Sequence, residues 1–122
     1  MSGEVRDPKE VIWVGPSRKD LKSFPRPVQR ATGIALYFAQ LGTVHPNAKP
    51  MKGFRPKVME IAIRHDTDTY RAIYTVQLGE RVYVLHAFQK KAKKGIATPK
   101  AEIAVIRERL KAALKEHRER QN

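Results

Sequence analysis

MEIAIRHDTDTYRAIYTVQLGERVYVLHAFQKKAKK, residues 59–94, decides the fold. It reads as three consecutive antiparallel strands, MEIAIRH, TYRAIYTVQ and RVYVLHAF, ending in a burst of lysines. Each is rich in Val, Ile and Tyr and is closed by polar or Gly-containing residues. Gly79-Glu80 suits a two-residue hairpin with Gly first, which sets Arg71 opposite Phe88, Ile73 opposite His86 and Thr75 opposite Val84. A first hairpin turning through His65 to Thr69 sets Arg64 opposite Arg71 and Ala62 opposite Ile73. Side chains alternate along a strand, so two faces separate. Met59, Ile61, Ile63, Ala72, Tyr74, Val76, Tyr83, Leu85 and Ala87 make a core face. The other face mixes Glu60, Arg64, Arg71, Thr75, His86 and Phe88 with Ile73, Val82 and Val84. It is expected to lie open, gathering cations just before Lys90 and Lys91.

Outward from this stretch, Val11 to Val14 fits a strand at the sheet edge or beside the third strand. Residues 17–42 carry Val28, Ala31, Ile34, Ala35, Phe38 and Leu41 at helical spacing, with Gly42 as a stop, and predict a helical hairpin or a bent helix on the core face. His45 to Pro56 reads as a loop from its Pro, Gly and Asn content. It holds Lys49, Lys52 and Arg55, then Lys57, without one acid. Thr98-Pro99 opens a last helix with an apolar stripe of Ile103, Ile106, Leu110, Ala113 and Leu114. The expectation is a single α+β domain over residues 1–122. It has an N-terminal helical hairpin on a small, mostly antiparallel sheet of three to four strands, plus a C-terminal helix, with residues 1–10 and 119–122 loose.

Lys and Arg number 25 against 12 acids, a formal net charge of +13. On a domain this size that surplus points to a polyanion, nucleic acid first, and away from a membrane surface, since no basic amphipathic segment stands apart. With no cysteine, disulfides, thiolate catalysis and Cys-based zinc sites are excluded. No apolar run approaches the roughly 18 residues of a membrane span. The first residues lack a signal peptide's apolar core, so a cytoplasmic protein is expected. His45, His65, His86 and His117 have no ligand-like spacing, so neither a metal nor a cofactor is expected.

Cutting RNA without metal needs a cation on the scissile phosphate, a base for the 2′-hydroxyl and an acid for the leaving oxygen. Arg71 and Arg64 are the candidate clamps and His86 the candidate acid or base. Phe88 offers a stacking platform. Lys52, Arg55, Lys57, Lys90, Lys91, Lys93 and Lys94 are candidates to track the backbone. Bland readings stand beside these. A lone strand histidine is more often structural than catalytic, Arg64 can simply pair with Glu60 or Asp66, and Phe88 can be core.

The same residues carry a resemblance. Gly53, Glu60-Ile61-Ala62, Tyr70-Arg71-Ala72-Ile73-Tyr74, Leu85-His86-Ala87-Phe88-Gln89-Lys90-Lys91 and Thr98-Pro99 resemble the recurring elements of the phage-derived, HigB-like branch of the RelE/ParE toxin superfamily. The close match spans residues 53–103. The resemblance implies a RelE-like fold and the toxin of a type II toxin–antitoxin pair. Such toxins are typically mRNA endoribonucleases that inhibit translation, often at the ribosome, with a helix-turn-helix antitoxin as partner. Functional roles carry over most directly to Arg71, His86, Lys90 and Lys91. The arginine expected after Glu60-Ile61 is Ala62 here, with Arg64 two residues on along the same face. The alternatives are a ParE-like toxin that inhibits a DNA topoisomerase without cutting, and a plain basic nucleic-acid-binding module.

Overall fold

A computed structural model describes residues 7–90 and 98–121. In chain order the elements are β1 (Glu10–Trp13), α1 (Ser17–Lys22), α2 (Arg26–Gln40), β2 (Ala48–Met51), β3 (Val58–His65), β4 (Asp68–Thr75), β5 (Arg81–Lys90) and α3 (Lys100–Gln121). The fold is α+β. Its sheet has five strands in the order β1-β5-β4-β3-β2, all antiparallel except β1, which runs parallel to β5. The expected three or four strands grow to five because part of the 45–56 loop is β2. Its Pro50 is tolerated on an edge strand, where no ladder donor is required.

Pro25 (φ −55, ψ 146) starts α2, and Pro27 occupies its first turn, where a missing N–H costs nothing. The helix stops at Gly42, at φ 84. There Thr43 N–H donates to Phe38 O and Gly42 N–H to Ala39 O, each at 3.0 Å, closing the end in a Schellman arrangement. Its inner side buries Val28, Ala35, Leu36 and Ala39 against Ile61, Ala72, Tyr74, Val82 and Val84. On the sheet's other side α3 buries Ile106, Leu110 and Ala113 against Val58, Ile73, Tyr83, Leu85 and Phe88. The sheet is therefore covered on both faces, and the face expected to be open lies largely under α3.

Two register details account for the difference. The ladder between β4 and β5 slips by one residue after Ile73: Ile73 pairs with His86, but Tyr74 pairs with Val84 and Thr75 with Tyr83. One extra residue turns the rest of the strand over. Tyr83 and Leu85 face α3, and Val82 and Val84 face α2, the reverse of the sequence expectation. The β4–β5 connection is also longer than a two-residue turn, running from Val76 to Glu80 with Gly79 at φ 68. In the first hairpin, His65 pairs with Asp68 across Asp66 (φ 56) and Thr67, so Ala62, not Arg64, lies opposite Arg71. That shift is two residues and leaves the faces unchanged.

The chain ends are held further out than expected. Lys9 N–H donates to Gln40 O at 2.9 Å, Gln40 Nε2 donates to Lys9 O at 2.7 Å, and α3 continues to Gln121. Near the end of α3, the fully buried Tyr83 donates its hydroxyl to Glu116 Oε1 at 2.6 Å. Burial, with the facing carboxylate, pushes that phenol up to about 12. Unfolded tyrosine ionises near 10, so the unfolded chain loses this proton first. Stability is therefore expected to fall as pH rises from about 10 towards 12. Tyr83→Phe should lose about 1 kcal/mol at neutral pH and flatten that alkaline decline, as followed by urea titration at several pH values. Among the described residues no helix is long and apolar enough to cross a membrane.

Candidate nucleic-acid site

Pairing across the sheet sets the side chains facing α3 in cross-strand rows. One row is Lys49–Glu60–Ile73–His86 and the next is Ala62–Arg71–Phe88. The last, at the tip of the first hairpin, is Arg64–Thr69–Lys90. Rows on one face are about 7 Å apart, two residues along a strand. The body of α3 covers the β4–β5 end of the first row, at Ile73 and His86. Over β2, β3 and the Arg71 position of β4 it leaves a cleft of about 450 Å³ lined by Pro46, Asn47, Lys49, Glu60, Ala62 and Arg71.

The Arg71 guanidinium donates to Glu60 Oε2 at 2.6 Å, and both side chains are largely buried, at 12% and 16% exposure. Thr98, two residues before α3, donates its hydroxyl to the same carboxylate oxygen at 3.4 Å. Lys49 is Glu60's cross-strand neighbour on β2. Ala62 N–H donates to Asn47 O at 3.0 Å, which seats the 45–47 turn at the cleft's mouth. The methyl of Ala62, opposite Arg71, leaves open the space a longer side chain would fill. Arg64 stands one row further out, exposed, and does not occupy that place.

His86 is elsewhere engaged. Its side chain is 8% exposed, with Nε2 2.7 Å from Glu102 Oε1. Arg109 Nη1 reaches its Nδ1 at 3.3 Å and Leu85 O at 3.1 Å. Arginine can only donate, so Nδ1 accepts and Nε2 carries the proton that goes to Glu102. Both ring nitrogens are used in fastening α3 to β5. Phe88 is buried and stacks on the imidazole at 4.9 Å and 25°, which makes it core and not an open platform. His86→Ala leaves Glu102 and Arg109 without this partner and is expected to lower stability by about 1–3 kcal/mol. An unchanged urea midpoint would deny the clamp.

The other basic candidates divide. Lys52 and Arg55 are exposed in the β2–β3 connection, at the end of β3 away from the hairpin tip. That connection is tied to α3 by Arg107, which donates to Gly53 O at 3.1 Å and lies 4.6 Å over the Phe54 ring. Lys57 lines a pocket on the α2 side and does not join the cleft. Lys90 closes the tip row. Lys91, Lys93 and Lys94 lie outside the described residues. Among the described residues no three His, Asp or Glu side chains converge as metal ligands would.

The sequence reading named Lys49 only as one cation of a loop, passed over Asn47 and gave Glu60 only the part of a salt-bridge partner. Together the cleft offers two cations and one carboxylate within a single patch, the groups needed to hold a phosphodiester and accept a proton beside it.

A family model described as phage derived protein Gp49-like (DUF891) matches residues 19–111. The chain belongs to this Gp49-like family. The match takes in the end of α1, all of α2, β2 to β5 and the first half of α3, and so every described residue of the cleft. Among solved structures, the Gp49-like chain is similar to a toxin–antitoxin complex, RelBE2, from Mycobacterium tuberculosis. That similarity has 19% identity and a TM-score of 0.48, covering 69% of this chain and 100% of the other. No curated protein matches.

Proposed function

We propose that this Gp49-like protein is the toxin of a type II toxin–antitoxin pair, a HigB-like member of the RelE/ParE superfamily that cuts mRNA and so stops translation. Its partners in this reading are a cognate antitoxin, mRNA and the ribosome, and its place is the cytoplasm. The observation that carries the proposal is the Arg71–Glu60 pair at the floor of a basic cleft.

An incoming phosphate competes with Glu60 for Arg71 and, with Lys49 alongside, takes the positive charge. Glu60, released from its partner, accepts the proton of the neighbouring 2′-hydroxyl. The 2′-oxygen bonds to phosphorus and the P–O5′ bond breaks, leaving a 2′,3′-cyclic phosphate and a 5′-hydroxyl that takes its proton from Lys49 or water. Charge that builds on the phosphoryl oxygens is held by Arg71. Arg64, Lys90 and the lysines after it carry the flanking backbone. His86 is a positioning residue here. Through Glu102 it holds the first turn of α3, and Thr98, two residues before that helix, reaches Glu60.

Primer extension on cellular transcripts minutes after induction tests the reading. New internal 5′ ends within coding regions are expected. Growth arrest with intact transcripts and a DNA-damage response would overturn it in favour of a topoisomerase inhibitor.

A further inference from the structure

The large hydrophobic side chains exposed among the described residues are Ile34 (49%), Tyr37 (49%), Leu41 (38%) and Val44 (56%). They fall within one stretch, and the three on or ending α2 follow helical spacing, so they line its outer side. Scattered exposed apolar groups need no explanation, but a contiguous run on one helix marks a contact surface. Gly33 lies beside the run, and nothing lies within 4 Å of where its Cβ would sit, so another backbone can approach closely.

A second, independent feature adjoins the C-terminal end of the run. A pocket of about 150 Å³ opens between the end of α2 and the sheet, lined by Ala39, Val44, Lys57, Met59, Tyr74 and Val76 among others. The Tyr74 side chain is 1% exposed, and its hydroxyl has no hydrogen-bond partner. A buried hydroxyl left unmatched is costly, and native structures seldom tolerate one without a reason.

We propose that the outer side of α2 and the pocket at its C-terminal end are the docking surface for an acidic amphipathic helix of a partner protein. One of that helix's side chains enters the pocket and meets the Tyr74 hydroxyl. The charge pattern selects the occupant. α2 contains no Asp or Glu, Arg26 and Arg30 stand at the head of the apolar run, and Lys57 stands at the pocket. A second copy of this chain would bring another +13 against the same surface. The geometry is that of a helix laid along apolar anchors one turn apart. Because α2 and the Arg71 cleft lie on opposite faces of the sheet, a partner seated here leaves the cleft uncovered. The inference does not depend on the RNA-cutting reading; where that reading holds, the antitoxin is the protein expected to bring the helix.

The test uses the full-length protein, isotope-labelled, and a synthetic helical peptide with Leu at one-turn spacing and Glu elsewhere, at physiological salt. The control is a scrambled peptide of the same composition. The helical peptide is expected to shift the amide signals of Ile34, Tyr37, Leu41, Val44 and Tyr74, and Ile34→Glu with Leu41→Glu to weaken it by about tenfold or more. Lys49→Ala, in the cleft, is expected to leave that affinity unchanged. Equal binding of the scrambled peptide would overturn the proposal, as would shifts centred on Lys49 and Arg71. So would a self-associated protein that Ile34→Glu makes monomeric.

Discussion

Arg71→Ala is expected to cut RNA at least about 10²-fold more slowly than the parent chain, the size of effect seen when one preorganised donor to a developing anion is removed. The residue sits where it does because β4 pairs Arg71 with Ala62 on one side and Phe88 on the other, so its long side chain has a small neighbour to reach across. What it reaches is Glu60, at 2.6 Å. Removing the guanidinium also strips a largely buried carboxylate of its partner, a change that destabilises folds. Arg71→Lys separates the two effects. It keeps a cation near Glu60 but loses the planar fork that matches two phosphate oxygens, so activity between parent and alanine variant is expected with near-parent stability. In vitro cleavage of a transcript, alongside thermal melts of all three proteins, reads both quantities. An Arg71→Ala protein that is folded and cuts at the parent rate would remove the cleft from the mechanism.

Ile106→Ala should produce the largest loss of stability, about 2–5 kcal/mol. Ile106 is fully buried between α3 and the sheet, in one cluster with Ile73, Leu85 and Phe88. α3 is highly charged, so its attachment depends on a narrow stripe and on the His86–Glu102 and Arg109 contacts. Truncating the stripe at a fully buried point leaves a cavity between helix and sheet. Glu108→Ala, on the exposed side of the same helix, should stay within about 0.5 kcal/mol of the parent. Equal melting temperatures for the two variants would mean that α3 is not held as described. Loosening α3 also withdraws Thr98 from Glu60, so activity should fall with Ile106→Ala even below its melting temperature.

Much of this architecture was legible in the chain. The three central strands, β1 beside the third of them, the helix pair closed by Gly42 and the apolar stripe of α3 all follow from periodicity and from turn chemistry. The covering of the second sheet face did not, and one residue explains why. Strand periodicity carries no mark of the slip between Ile73 and Tyr74, yet the slip inverts Val82 to Leu85 and gives α3 its apolar seat in Tyr83 and Leu85. Positions on the hairpin-tip side of the slip, Arg71, Ile73, His86 and Phe88, keep the expected register. β2 was lost to its proline. The environment of His86 was illegible for another reason. Glu102 and Arg109 reach it from α3, across sequence separations of 16 and 23, and composition cannot reveal such contacts. The imidazole it suggested as an acid or base is engaged at both ring nitrogens, by Glu102 and Arg109. The proton acceptor of the proposed reaction is the carboxylate first read as a simple ion-pair partner.

The most direct test of the cleft is photocrosslinking of the protein to a short RNA that carries 4-thiouridine and 2′-O-methyl groups, so that it binds but cannot be cut. Peptide mapping is expected to place the crosslinks in residues 46–49, 60–64 and 69–71, and Arg71→Ala to abolish them. Crosslinks gathered on α2 or on the exposed side of α3, unaffected by that substitution, would contradict the account.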